Sequence, residues 1–147
     1  MIIDAHTHGW HVDLGANGKP IPPMMPTWSE KNGPAADYVK KRRDEGLESV
    51  VILDPPEITF KLHEMLGDFI IPVPQVDLDL ATPDDINGLF QSGARGIKFI
   101  VPMKSYGHDD YLPLYEAVLK NRGLAVFHTG YVVLGIFEPG GVKGRKS

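Results

Sequence analysis

A parallel α/β fold is what this sequence predicts, and three observations carry the prediction. Short apolar runs of strand length recur at residues 2–5, 49–53, 69–76, 95–101 and 124–128. Between the later runs, apolar residues return at helical spacing, with Pro and Gly marking each change of period. The side chains with the most chemistry to offer, His6, His8 and His128, stand at or just beyond the ends of such runs, where the loops of a parallel sheet gather.

Size and composition narrow the class. A chain of 147 residues builds one domain, taken here as 1–147. With 42% hydrophobic and 23% charged residues it has the make-up of ordinary globular protein. A formal charge of -4 gives no electrostatic reason to expect nucleic acid or an anionic membrane as partner. The apolar runs at 69–73 and 97–101 are far shorter than the roughly 20 residues a membrane helix needs, and no secretory signal is visible. With no cysteine, disulfides and thiolate metal sites are excluded, so the default location is cytoplasmic, though the same features fit a matrix protein or a chain whose signal has been removed.

The elements follow in order. The first strand, 2–5, leads into the histidine pair, and residues 9–34 then hold Pro20, Pro22, Pro23, Pro26 and Pro34 among several glycines. That density of φ-fixing and φ-permissive residues reads as one long loop. It carries Trp10, His11 and Trp28, and is either a lid over a pocket or a surface excursion held by its own aromatics. Pro34 opens a helix that Gly46 ends, with Lys40 to Arg43 as its solvated, dipole-complementing half.

Residues 49–53 form the second strand, stopped by Asp54-Pro55-Pro56. Ile58, Leu62, Met65 and Leu66 mark the next helix, within which His63 reads as structural. The third strand holds Pro72 and Pro74, awkward for an interior strand because each removes a ladder donor, so a short strand ending at Ile71 or Val73 fits as well. Thr82, Pro83 and Asp85 announce a capped helix that Gly93 closes. The fourth strand, a loop at 105–110 with Asp109 or Asp110 as helix cap, a helix around Leu114 and Val118, and the fifth strand complete the pattern. Right-handed crossovers place the helices on one outer face of a curling sheet.

Residues two apart on a strand point the same way, so His6 and His8 can converge on one ion. Neutral imidazoles suit zinc and its neighbours; the competing reading is a pair of buried structural histidines. His128 ends its apolar run in the same placement and is a third candidate ligand, or a histidine that only hydrogen-bonds a loop. Lys98 lies between Ile97 and Phe99 and needs a partner or water access, because burying its charge alone is costly. Facing the polar centre of the barrel, it is a candidate for carboxylation as a metal ligand or for holding a substrate carboxylate, or else a stem buried with its amine in solvent. His108, in the loop after strand four, borders the same mouth and is a candidate substrate contact, as are Trp10, His11 and Trp28. Asp54 and Asp77 follow strands two and three and could both line the mouth, but acids beside turns are ordinary. No glycine-rich phosphate loop is present.

Three pieces, MIIDAHTH at the start, ARGIKF at strand four and GLAVFHTG at strand five, together resemble the amidohydrolase superfamily, in the branch that includes aminocarboxymuconate-semialdehyde decarboxylase-like proteins and the "amidohydrolase 2" hydrolases. The resemblance implies the TIM (β/α)8 barrel fold, of which about the first five β/α units are present. It implies His6 and His8 as strand-one ligands and His128 as the strand-five ligand of one divalent ion, zinc by preference. It further implies a metal-dependent hydrolase acting on an amide, ester or lactone of a small organic substrate, with non-oxidative decarboxylation of a small carboxylic acid as the close alternative. Deoxyribonuclease-like hydrolases and histidinol-phosphatase-type phosphoesterases share the opening motif but not the later pieces.

A closed barrel takes eight strands and commonly about 250 residues. The sequence therefore leads to the expectation that missing C-terminal polypeptide or a homo-oligomer completes the barrel, and that the family's acid/base residues fall beyond residue 147, so no catalytic residue is assigned. A non-catalytic half-barrel with a structural or binding role is the reading from outside enzymology.

Overall fold

The structure is a computed structural model that describes residues 2–8, 41–100 and 102–129. Its strands are β1 (Ile3–Thr7), β2 (Ser49–Ile52), β3 (Ile70–Pro72), β4 (Gln75–Asp77), β5 (Gly96–Ile100) and β6 (Leu124–Phe127). Its helices are α1 (Pro56–Leu66), α2 (Pro83–Gln91) and α3 (Leu112–Lys120), and residues 41–44 are helical ahead of a turn at Gly46. Alternation of strand and helix, with every strand pair parallel, is the α/β architecture the periodicities predict.

The pairing runs β1-β2-β3 in one sheet and β4-β5-β6 in the other. The two are joined because β3 and β4 are consecutive pieces of one extended segment, broken at Val73 and Pro74. From that segment the amides of Val73 and Gln75 donate to Ile52 and Asp54 at 3.0 and 2.9 Å, while the carbonyls of Pro72 and Pro74 accept from Arg95 and Lys98 at 2.8 and 2.9 Å. This resolves the awkwardness of the prolines. Both turn the same way, toward β5, and each keeps its carbonyl in the ladder while contributing no donor. β1 pairs only with β2, and β6 only with β5, so among the described residues the sheet is open at both ends and no closed barrel forms.

Alternation divides the sheet into two faces. On one, Val50, Ile52 and Ile70 pack under Leu62 of α1, and Ile97 and Phe99 pack with Ile86 of α2 and Leu114, Ala117 and Val118 of α3. The other face carries Val51, Leu53 and Val73, against which Val126 of β6 is packed. Neighbouring strands lie about 4.8 Å apart, so contact between short side chains of β6 and the β2–β3 region means that the sheet curves toward this second face.

Local signals explain the helix ends. Thr82 and Asp85 form a reciprocal capping box, with the Asp85 amide donating to Thr82 Oγ1 at 3.2 Å and the Thr82 amide donating to Asp85 Oδ2 at 2.8 Å. Gly93 ends α2 at φ 104°, a conformation that favours glycine. Three expectations are corrected. The first strand does not stop at residue 5 but continues to Thr7, through His6. The fourth begins at Gly96 rather than Arg95 and runs to Ile100, with Val101 outside the described residues. The cap before α3 comes from neither aspartate: His108 Nδ1 accepts from the Asp110 amide at 3.2 Å and starts a short 3-10 turn at Asp109–Tyr111.

Candidate functional site

The site begins with an irregularity in β1. Asp4 lies opposite Val50 but Thr7 lies opposite Ile52, so β1 advances one residue more than its partner between these points. Such an extra residue reverses which face the following side chains take. Thr7 joins Ile52 on the helix-covered side and is 4% exposed, which turns His6 and His8 to the concave face with Val51 and Leu53. Asp4 takes a local role in this: its Oδ1 accepts from the His6 amide at 3.0 Å.

Asp54, immediately beyond β2, is 0% exposed. Its backbone carbonyl accepts from the Gln75 amide and from Thr59 Oγ1, both at 2.9 Å, so the residue is held by β4 and by α1 at once. Its carboxylate Oδ1 lies 2.7 Å from His8 Nδ1. A carboxylate only accepts, so Nδ1 carries the hydrogen and Nε2 of a neutral ring presents its lone pair. That Nε2 stands 3.1 Å from His6 Nε2, with the two rings edge to face. Two ligand atoms on a tetrahedral zinc ion, at bonds of about 2.0–2.1 Å, are about 3.3 Å apart, so the pair has the bite such an ion requires.

Lys98, from the middle of β5, is 3% exposed and brings its Nζ to 3.5 Å from His8 Nε2. Burial pulls its ammonium below the usual lysine range, partly offset by the Asp54 carboxylate. His128 follows β6, and its Nε2 is buried with no hydrogen-bond partner among the described residues. Burial first, and then Lys98 and His8, hold the His128 imidazole below its ordinary pKa. His6 is lowered by burial, then by Lys98, His8 and His128, against an opposing contribution from Asp4. These mutual effects place His6, His8, Lys98 and His128 in one electrostatic neighbourhood, supplied by β1, β5 and β6 and ordered by Asp54 from β2.

Loops beyond β4 and β5 brace it. Asp79 accepts from the Met103 amide at 2.7 Å and from the Tyr111 hydroxyl, and Tyr111 accepts in turn from the Lys104 amide at 3.2 Å. Tyr106 donates to the His128 carbonyl at 2.7 Å.

The candidates named from sequence thus divide. His6, His8 and Lys98 are joined by contacts of 3.1 and 3.5 Å, and His128 lies near enough to share their charges. His108 is an exposed capping residue, and the charges that shift His6 and His128 do not include it. Trp10, His11 and Trp28 lie outside the described residues, as does the loop that holds them. Among the described residues no group of three or more His, Cys, Asp or Glu side chains is gathered tightly enough to make a finished metal site. Sequence reasoning missed the orienting role of Asp54 and the brace from Tyr106. For Asp54 the signal was an acid at a strand end, on the same rim as the histidines. No helix among the described residues is long and apolar enough to cross a membrane. Compared with protein-family models, with curated proteins and with solved structures, the chain finds no match.

Proposed function

We propose that this chain carries the metal-binding part of a hydrolase of the amidohydrolase type, in which His6, His8 and His128 hold one divalent ion, zinc by the nature of the donors, and water cleaves an amide, ester or lactone of a small organic substrate. The observation that carries this reading is the pair of Nε2 atoms 3.1 Å apart, one of them fixed in tautomer by a fully buried carboxylate. A carboxylate behind a histidine is the usual outer support of a metal ligand. The buried Nε2 of His128, without a hydrogen-bond partner among the described residues, is the third donor of this reading.

Strand order supports the finer fold assignment, the first five units of a (β/α)8 barrel. Taking β3 and β4 as one, the strands lie side by side in chain order, with no reversal and with α1, α2 and α3 on one face. Doubly wound sheets reverse their order and carry helices on both faces.

His6, His8 and His128 would hold a divalent ion that would supply a lowered water pKa and polarisation of a carbonyl. The protein's own part is to keep His6 and His128 neutral at pH 7, through burial and the nearby Lys98, and to hold His8 with its lone pair inward. Lys98 adds a buried cation beside them, suited to a substrate carboxylate. That cation also favours a second reading, decarboxylation of a small carboxylic acid.

Titration of the metal-free protein with Zn²⁺ and Co²⁺, followed by dialysis and metal analysis, tests the reading. One tightly held ion per chain is expected, lost in His6→Gln, His8→Gln and His128→Gln, and weakened about 10–100-fold in Asp54→Asn. A protein that binds no ion, or binds it unchanged in the three histidine variants, overturns it. Chelator-sensitive turnover in a panel of esters, lactones and carboxylic acids then separates hydrolysis from decarboxylation.

A further inference from the structure

We infer that Tyr106 is a positioning residue for His128, its hydroxyl fixing the backbone from which the imidazole is aimed; the inference rests on the reading of His128 as a ligand. His128 is the first residue past the end of β6, where a strand ordinarily frays. Its amide donates to the Phe99 carbonyl at 3.1 Å, which ties it to β5. Its own carbonyl accepts from Tyr106 Oη at 2.7 Å, an oxygen that also lies 3.4 Å from the Phe99 carbonyl. Both backbone polar groups of His128 are thereby occupied, one by the ladder and the other by a side chain from the loop after β5.

Tyr106 is itself held on two sides. Its carbonyl accepts from Tyr115 Oη of α3 at 2.7 Å, and its ring meets Phe127 edge-on with centroids 5.2 Å apart. The Asp79–Tyr111 contact and the Met103 and Lys104 amides anchor the same loop a few residues earlier. Two hydrogen bonds thus carry α3 to the His128 carbonyl through Tyr106, and the loop beyond β4 holds the Met103 amide, three residues before Tyr106. Burial pushes the Tyr106 phenol up, so it stays a donor through the neutral range. Metal ligands need placement within about 0.5 Å, and a backbone left free at a strand end does not provide it. The ring, rather than the hydroxyl, packs against Phe127.

Tyr106→Phe removes the hydroxyl and keeps the ring. Two readouts are taken: Zn²⁺ and Co²⁺ affinity, and the imidazole NMR signals of the metal-free protein, with those of His128 identified by their loss in His128→Gln. Metal affinity is expected to fall about 10-fold with an altered Co²⁺ visible spectrum. The His128 signals are expected to shift or broaden while those of His63 and His108 stay in place. Leu47→Ala, which loosens the core at the end of β2 opposite Asp54, serves as the control for loss of stability alone and should leave both readouts unchanged.

The His128 signals decide the matter. If they coincide with wild type, the positioning role is overturned, whatever the metal does. If the wild-type protein binds no ion and the signals still move, the metal reading fails and the placement of His128 by Tyr106 stands. Should Tyr106→Phe not fold, Tyr115→Phe removes the donor to the Tyr106 carbonyl. A smaller shift of the same His128 signals is then expected, and its absence overturns the proposal.

Discussion

The amide of His6 donates to the carboxylate of Asp4, 3.0 Å away, across the one register shift in the β1–β2 ladder. The bond closes a local loop around the extra residue, and so Asp4 determines where the two histidines point without facing them itself. Asp4→Ala is expected to lower stability by about 0.5–1.5 kcal/mol, the net worth of one hydrogen bond. It should also weaken divalent-metal binding about 10-fold, because the ligands lose their support. Asp4→Asn retains an acceptor and should recover most of both, as read by urea unfolding and competition with a chromogenic chelator. Equal metal affinity in Asp4→Ala and wild type would sink this account.

Stability should fall on mild acidification. His6 and His128 both have pKa values lowered by folding, chiefly through burial. The unfolded chain therefore takes up protons first, near pH 6.5, while the folded histidines remain neutral. Their contribution is complete above that value and is lost as pH falls through it toward the lower folded pKa. Metal affinity moves in the same direction, since protons compete for the same lone pairs. Urea midpoints at pH 7.5 and pH 5.5 should show the drop, and His6→Gln/His128→Gln should show less of it. A protein equally stable at both values contradicts the assignment.

Two glycines should respond to alanine with opposite signs. At Gly96 an added Cβ would lie 2.6 Å from the Leu124 carbonyl oxygen, a backbone atom held in the β5–β6 ladder. The strands must then part, at a cost of about 1–3 kcal/mol. At Gly88, inside α2, a Cβ meets nothing within 4 Å, and the helix gains about 0.5–1 kcal/mol from the stiffer residue. Denaturant midpoints of Gly96→Ala and Gly88→Ala on either side of wild type would bear this out.

The helices and most strands could be read from the chain because their signals are local. Thr82, Pro83 and Asp85 spell a cap in sequence and make one in space. Residues 124–128 were placed as a strand with a terminal histidine, and β6 runs Leu124–Phe127 with His128 next. What escaped was set by distant partners. The shift in β1 depends on where β2 lies, so a period-of-two pattern does not show that Asp4 is offset from His6 and His8. Asp54 looked like any acid before a proline, and its role exists only because Thr59 and Gln75 hold its backbone while His8 approaches from 46 positions earlier. His108 was drawn toward the site by its place in the loop, whereas the nearby Asp110 amide claims its ring.

The break at Val73 and Pro74 has a consequence for motion. Pro72 and Pro74 give no amide hydrogen to β5, so the segment that joins the two three-stranded sheets lacks two of the donors a regular strand would offer there. Proteins open in cooperative units along their weaker boundaries, and here the boundary separates β1-β2-β3 with α1 from β4-β5-β6 with α2 and α3. His6, His8 and Asp54 ride on the first unit; Lys98 and His128 ride on the second. Anything gripped by both sets of side chains would act as a clasp across this hinge line, slowing amide exchange along it while leaving the interior of each unit as it was.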